Sequence, residues 1–168
     1  MRQGEHEVGT PSSALTADER HLIEMLYGPL RRFAAAAGPA DVEPDDLVQE
    51  ALYRALRRRS LSAYENVDGY LRQTILNLSR NHRRSLARRG KSLPRLVASV
   101  AAPPPSYPSD LAELLRLPAE VRAVLYLADV EGYSFPEIAA TLRCSPAVAR
   151  ARASRGRRRL RSELGMEV

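Results

Sequence analysis

The chain has 168 residues, a formal net charge of +6 and one cysteine. A single cysteine excludes an internal disulfide framework and a cysteine-rich zinc site, and the three histidines are scattered, so we expect neither a metal nor a cofactor. Residues 1–15 are polar and no run of eighteen apolar residues occurs, which predicts a disordered N-terminus, no signal peptide and no membrane insertion. These features indicate a cytoplasmic protein whose positive charge suits a nucleic acid or an acidic surface.

The first predicted helix begins after Thr16. Thr16 and Glu19 form a capping-box pattern, in which each side chain satisfies a free amide at the start of a helix. Apolar residues then recur at helical spacing and predict the buried side, which consists of Leu22, Leu26, Leu30, Phe33 and Ala37. Pro29 lies inside this pattern, so we expect a kink or a break there.

A second helix is predicted to begin at Pro44, and it has an acidic outer side. Its apolar side consists of Leu47, Val48, Ala51, Leu52, Ala55 and Leu56, and its outer side of Asp46, Gln49, Glu50 and Tyr53. The acidic side can bind a partner. Alternatively it is only solvated, with Asp45 and Asp46 complementing the positive end of the helix dipole and Glu50 pairing with Arg54.

A third helix is predicted to begin near Asn66 and Asp68 and to stop at Gly90. Its inner side consists of Leu71, Thr74, Ile75 and Leu78, and its outer side of Gln73, Asn77, Arg80, Arg84 and Arg88. A stripe of amides and guanidiniums suits a phosphate backbone with exposed base edges, although a basic face without a ligand is the alternative. Tyr64 and Tyr70 precede the stripe, where they either stack on an unpaired base or belong to the core.

A proline-rich linker over residues 91–109 divides the chain into a first module, residues 16–90, and a second module, residues 110–164. Segment 69–109 is basic and contains no acidic residue, whereas segment 41–50 is acidic and contains no basic one. This segregation predicts two partners of opposite character. We expect separate helical modules whose mutual placement is set by something outside them.

The second module carries a helix-turn-helix pattern. Ser134 and Glu137 form a second capping box, and Ser145 followed by Pro146 predicts the start of the next helix. That helix is rich in arginine, and its apolar stripe consists of Ala149, Ala153, Gly156 and Leu160. The pattern is typical of a DNA-reading unit, with a solvated basic tail as the alternative. Cys144, at the turn, is interpreted as a small packing residue rather than a redox switch.

These residues together resemble the extracytoplasmic-function sigma factors of bacterial RNA polymerase, over residues 22–164 without the linker. The run from Asp45 to Ala51 looks like the family signature for docking on the polymerase clamp helices. By this resemblance the polymerase-binding residues are Asp45, Asp46, Gln49, Glu50 and Tyr53. The segment from Tyr70 to Arg84 is similar to the family's reader of the minus-ten promoter element, which is bound as an opened nontemplate strand. The loop from Ser60 to Asn66 is then expected to accept a flipped base. The minus-ten residues are assigned as Asn66, Tyr70, Gln73, Asn77, Arg80, Asn81 and Arg84.

In the second module, the stretch from Leu117 to Ala139 resembles the family's reader of the minus-thirty-five element. The residues assigned to that element are Ser145, Pro146, Val148, Arg150, Arg152 and Arg155. Several positions depart from the family pattern. The family commonly has glycine where Arg143 stands, a polar residue where Val148 stands, and an acid where Asn81 stands. Larger apolar residues are usual at Ala149 and Ala153.

The predicted fold is all-α, with two small helical modules joined by a proline-rich linker and a helix-turn-helix in the second. The resemblance implies a sigma factor, not an enzyme, with core RNA polymerase and promoter DNA as partners and an anti-sigma factor as a further possible partner. Two alternatives stay open: a helix-turn-helix regulator that binds DNA without polymerase, and a recombinase or transposase. The first leaves the acidic helix without a role, and the second needs a catalytic domain for which the first module is too short.

Overall fold

The computed structural model describes residues 15–92 and 114–163, and the helical prediction is confirmed there. In the first module, helix α1 spans Ala17–Ala37, α2 spans Pro44–Arg58, a 3-10 turn spans Leu61–Ala63, and α3 spans Val67–Ser92. In the second module, α4 spans Ala119–Leu125, a π-helical turn spans Tyr126–Val130, α5 spans Phe135–Leu142, and α6 spans Pro146–Glu163. The predicted disordered N-terminus and most of the predicted linker lie outside the described residues.

Helix α1 begins with the predicted capping box and passes through Pro29 without a break. The Thr16 amide donates to Glu19 Oε2 at 3.0 Å, and the Glu19 amide donates to Thr16 Oγ1 at 3.2 Å. The expected break at Pro29 does not occur, because α1 is continuous to Ala37. Burial of Leu30 and Phe33 directly after the proline holds the second half of the helix in place, and tertiary packing of this kind outweighs local propensity.

Helix α3 also continues beyond its predicted end. The expected stop at Gly90 is wrong, since the helix runs on to Ser92. A glycine inside a helix costs only about 1 kcal/mol relative to alanine, so it weakens a helix without having to end it.

Glu19 ties the start of α1 to the 3-10 turn. Its Oε1 accepts hydrogen bonds from the Ser60 hydroxyl at 2.8 Å and from the Leu61 amide at 3.1 Å. The hydrogen bond from the Thr16 amide, followed by those from Ser60 and Leu61, lowers the pKa of Glu19 from 4.5 to about 2. The carboxylate therefore stabilises the fold in its charged form.

Replacing Glu19 by glutamine should make the free energy of unfolding less dependent on pH in the acidic range. The folded-state pKa is depressed, so the stabilisation is fully present above pH 4.5 and is lost as the pH falls towards 2. The variant should be less stable than the parent at pH 7 and should approach it at low pH, as measured by urea midpoints between pH 7 and pH 2.5. Glu24→Gln, an exposed change on the same helix, is the control. Parallel curves for parent and Glu19→Gln would contradict the assignment.

The small residues of α6 allow it to lie directly against α4. Ala149, Ala153 and Gly156 are buried, and a Cβ atom built on Gly156 would meet Val121 Cγ1 at 2.6 Å and Leu125 Cδ1 at 2.9 Å. The glycine is therefore required by the close approach of two helices.

Replacing Gly156 by alanine should destabilise the protein by about 1–3 kcal/mol, because the added methyl overpacks the α4 contact. On an open helix surface the same change would stabilise by about 1 kcal/mol, so the sign is diagnostic. Chemical denaturation measures it. Ser154→Ala, at an exposed position of α6, is the matched control and should change stability by less than about 0.5 kcal/mol. A more stable Gly156→Ala protein would show that the helices are not in close contact.

The two modules pack against each other, contrary to the expectation that their placement is set from outside. One hydrophobic cluster contains buried residues of both modules, including Phe33 and Ile75 of the first and Val124 and Leu127 of the second. The ring of Tyr126 packs edge-on against Phe33, with centroids 6.1 Å apart. Two short helical modules have small cores, and burying their apolar faces against each other enlarges both.

Candidate nucleic-acid interface

A cleft between α2 and α3 carries part of the predicted minus-ten surface. It has a volume of about 520 Å³ and is lined by Tyr53, Tyr70, Gln73, Asn77 and Arg143, among others. We call it the α2–α3 cleft. Arg54, Arg57 and Arg58 also line it, so its electrostatic field attracts a polyanion.

A second cavity, the loop recess, adjoins this cleft at Arg58, Tyr70 and Arg143. Its volume is about 700 Å³ and its lining includes Tyr64 and Asn66. It therefore borders the loop that, by the family resemblance, is expected to accept a flipped base. Asn66 is exposed. Its Oδ1 accepts a hydrogen bond from the Gly69 amide at 2.7 Å and caps α3, so its side-chain NH2 group is the part that remains available to a base.

The two tyrosines ahead of α3 form a pair that is partly built into the core. Their rings lie 4.5 Å apart, and the Tyr64 hydroxyl donates to the Ala55 carbonyl at 3.0 Å. A hydrogen bond from Arg58 lowers the pKa of Tyr70. Tyr64 is thus held by packing, whereas Tyr70 lines both cavities and is the one better placed to stack on a base.

The predicted outer stripe of α3 differs in exposure along its length. Asn77, Asn81 and Arg84 are exposed. Gln73 is half-buried: its Nε2 donates to Asn77 Oδ1 at 3.2 Å, while its buried Oε1 has no hydrogen-bond partner. Arg80 forms an ion pair with Glu120 of α4 at 2.8 Å, so in this arrangement the second module partly neutralises it.

Of the five predicted polymerase-binding residues, two form ion pairs within the chain. Asp45 accepts from the Tyr27 hydroxyl at 2.8 Å and from Arg31 Nε at 2.9 Å, and these bonds lower its pKa. Glu50 pairs with Arg54 at 2.6 Å. The remaining three, Asp46, Gln49 and Tyr53, are exposed on one side of α2.

The helix-turn-helix has the predicted caps. The Ser134 amide donates to Glu137 Oε2 at 2.8 Å, and the Val148 amide donates to Ser145 Oγ at 3.2 Å, at the start of α6. Cys144 is half-buried and packs against the core, in agreement with its interpretation as a packing residue. Both helices of the unit are therefore fixed at their N-terminal ends.

Some of the arginines of α6 are paired with carboxylates, and others are exposed and able to contact a polyanion. Arg157 pairs with Asp129 and Arg159 with Glu163. Arg150 and Arg155 are exposed, and within residues 15–92 and 114–163 no ion pair involves them. Arg152 is half-buried, Val148 is 40% exposed, and Ser145 and Pro146 lie at the helix start. The predicted minus-thirty-five residues thus cluster on the first three turns of α6.

Two buried arginines were not predicted as structural residues. Arg72 forms ion pairs with Asp68 at 2.8 Å and with Glu131 of the second module at 3.0 Å, and its guanidinium lies over the Phe33 ring. It is therefore not part of a DNA-binding surface, although the charge pattern grouped it with the basic segment. Arg122 donates to carbonyl oxygens of Ala36, Ala37 and Gly38 at the end of α1. The sequence signals for Arg122 are its place in the stretch that resembles the family and its being the one cation of an apolar helix.

Comparison with known proteins supports the resemblance in both modules. The family model for sigma-70 region 2 matches residues 22–89, and the model for sigma-70 region 4 matches residues 111–160. The chain is 32% identical to the ECF RNA polymerase sigma factor EcfG of Rhodopseudomonas palustris over 154 residues, which cover 87% of this chain and 84% of the relative. This chain belongs to the extracytoplasmic-function sigma factors.

Other relatives agree with this assignment. The sigma factor SigE of Mycolicibacterium smegmatis is 35% identical over 135 residues, which cover 73% of this chain but only about half, 52%, of that relative. Among solved structures, the sigma factor RpoE of Bartonella quintana, crystallised with the anti-sigma factor NepR, superposes with a TM-score of 0.70 at 25% identity. That match covers 91% of this sigma factor and 100% of the other chain.

The match to both modules decides between the alternatives. A sigma factor accounts for the acidic helix and for the helix-turn-helix, whereas a free regulator or a transposase accounts only for the latter. Within the described part of the sigma factor, none of the helices has the length and apolar character needed to cross a bilayer.

Proposed function

We propose that this sigma factor binds core RNA polymerase through the outer side of α2 and reads its promoter with α3 and α6. The first module, residues 16–90, would contact polymerase and the minus-ten strand. The second module, residues 110–164, would contact the minus-thirty-five duplex, with residues 91–109 spanning the distance between them. In this scheme the chain catalyses no reaction of its own, because the polymerase forms the bonds. It would act in the cytoplasm, where the polymerase works.

The observation that carries the proposal is that, in the described residues, exposed polar and acidic side chains lie on α2 and exposed basic side chains lie on α6. Asp46, Gln49 and Tyr53 are exposed on α2 and offer a polar, acidic contact to a protein. Arg150 and Arg155 are exposed at the start of α6 and suit a phosphate backbone beside the major groove. These exposed groups support a protein-docking surface on α2 and a DNA-docking surface on α6.

The minus-ten contacts are supported by the α2–α3 cleft. Asn77 is exposed and lines the cleft with Tyr70 and Gln73, while Asn81 and Arg84 are exposed further along α3. A helix that carries amides, a guanidinium and an aromatic ring suits single-stranded DNA. Pulling a base out of the stack costs a few kcal/mol. Contacts to the base in the loop recess and to the backbone along α3 would offset that cost.

An anti-sigma factor is proposed as a further partner. The support is that RpoE, which shares the fold over its full length, was crystallised with the anti-sigma factor NepR. Such a protein would regulate access to polymerase without altering promoter preference.

The direct test is transcription by purified core polymerase with and without this chain, using a library of genomic fragments as template. We expect discrete start sites that appear only when the chain is added, and co-elution of the chain with core polymerase at low ionic strength. A gel shift with the chain alone separates the alternatives. Tight binding of the same fragments without polymerase, and no chain-dependent initiation, would favour a free regulator and contradict the proposal.

A further inference from the structure

The exposed surface at the start of α6 has few side chains that can form hydrogen bonds with a base. Three exposed positions in its first two turns carry side chains without a donor or an acceptor, and these are Ala147, Val148 and Ala151. The Ser145 hydroxyl accepts from the Val148 amide at 3.2 Å and is engaged in capping the helix. Over residues 146–153, side-chain donors are carried only by exposed Arg150 and half-buried Arg152. Contacts between this part of α6 and base edges are therefore largely apolar.

Val148 is the largest of these exposed apolar side chains. It is the third residue of α6 and is 40% exposed. A β-branched side chain on a helix has one strongly preferred χ1 rotamer, so its two methyl groups point in a fixed direction. Alanine forms helices better than valine does, and Val148 does not belong to the apolar cluster of the core. Neither helix formation nor core packing therefore explains a valine at this position.

Exposed arginines lie on both sides of Val148. Arg155, seven residues further along, is exposed on the same side of α6. Arg150 is on the other side, where its guanidinium lies 5.9 Å from the centre of the Phe135 ring. Neither arginine forms an ion pair in the parts of the chain that the structure describes. An apolar centre between two cations complements a duplex groove, in which base edges lie between two rows of phosphates.

Thymine is the base whose major-groove edge suits an apolar side chain. The other three bases present only hydrogen-bond donors and acceptors at their edges, whereas thymine also presents its C5 methyl group. A valine placed over a donor or an acceptor removes water from it without replacing the hydrogen bond, which is unfavourable. Contact between the valine and a thymine methyl removes apolar surface from water and is favourable.

We propose that Val148 selects a thymine in the minus-thirty-five element by packing against its C5 methyl group. The inference rests on the proposed function, in which α6 enters the major groove, and it specifies the base that this side chain recognises. The family commonly has a polar residue at this position, so the preference for thymine there is expected to distinguish this sigma factor from its relatives.

The test is competition binding of the polymerase complex to a chain-dependent promoter in which each minus-thirty-five thymine is replaced in turn by deoxyuridine. This replacement removes the methyl group and keeps the base pair. We expect one thymine whose replacement lowers the affinity by about three- to fivefold, as for the burial of one methyl group. Val148→Ala should bind the thymine promoter more weakly and should no longer distinguish thymine from deoxyuridine at that position.

Val130→Ala is the matched control. It is the same change at a valine of the second module that is 69% exposed and lies outside α6, so this variant should respond to each deoxyuridine as the parent does. Retained helicity by circular dichroism excludes misfolding of either variant.

Equal affinity of the parent for the thymine promoter and for every deoxyuridine promoter would overturn the proposal. An equally large deoxyuridine effect in the parent and in Val148→Ala would overturn it as well, because the two losses would then be independent. Failure of the chain to direct initiation from any fragment would contradict the proposed function. Specific promoter binding without a response to deoxyuridine would contradict this inference alone.

Discussion

Replacing Arg122 by alanine should lower the free energy of unfolding by about 3–5 kcal/mol, because it leaves buried carbonyl groups without a donor. The side chain is 5% exposed. Its Nε donates to Ala36 O at 2.8 Å and its Nη2 to Ala37 O at 3.0 Å, while Nη1 donates to Leu117 O at 2.6 Å. The Ala36 and Ala37 carbonyls lie at the end of α1 and form part of the negative end of its helix dipole. Arg122 therefore holds α1 and α4 together. Chemical denaturation is the measurement.

The lysine variant separates charge from geometry at this position. Burial lowers the pKa of Arg122 to about 10, so the guanidinium is charged at pH 7, and lysine would keep that charge but lose the planar fork. Arg122→Lys should lie between the parent and Arg122→Ala in stability. Arg161→Ala, an exposed change, should cost less than about 0.5 kcal/mol. A loss below about 1 kcal/mol in Arg122→Ala would mean that water can replace the side chain and that Arg122 is not essential for the packing of the modules.

Replacing Arg150 and Arg155 together by alanine should reduce promoter binding by the polymerase complex by about 10- to 100-fold. Both side chains are exposed on the first turns of α6, and each lost contact to a base or phosphate costs roughly 1 kcal/mol or more. If both contact phosphates, the slope of log K against log salt should fall by about two. Competition binding to a chain-dependent promoter over a range of salt concentrations measures both quantities.

A matched control removes the same charge further along the helix. The double variant Arg158→Ala with Arg161→Ala also removes two exposed arginines from α6. Both positions lie beyond the turns of α6 that are assigned to the groove. This double variant should reduce the affinity of the polymerase complex for the promoter much less than Arg150→Ala with Arg155→Ala does. Equal losses in the two double variants would show that α6 acts only through its net charge, and an unchanged affinity in Arg150→Ala with Arg155→Ala would exclude α6 as the reader of the minus-thirty-five element.

The local features of this chain could be predicted well because their causes are local. Capping boxes depend on residues three apart, as at Thr16 with Glu19 and Ser134 with Glu137, and both are present. The apolar stripe of α6 follows from helical spacing, and its members Ala149, Ala153 and Gly156 are buried, with Gly156 against α4. The expected break at Pro29 and the expected stop at Gly90 did not occur, because tertiary packing can outweigh a local cost of about one to a few kcal/mol.

The sequence by itself determined the helical elements, the helix-turn-helix and the family, since these depend on periodicity and short motifs. Only the tertiary structure decided which charges remain free. Arg72 and Arg122 read as ordinary cations in the sequence but are buried between the modules, and Arg80 and Asp45 are held by partners distant in the chain. The position of Arg143, which lines the α2–α3 cleft from the second module, is of the same kind. The physical reason is that ion pairing and burial depend on which surfaces meet, and here the partners lie between 14 and 86 residues apart in the sequence.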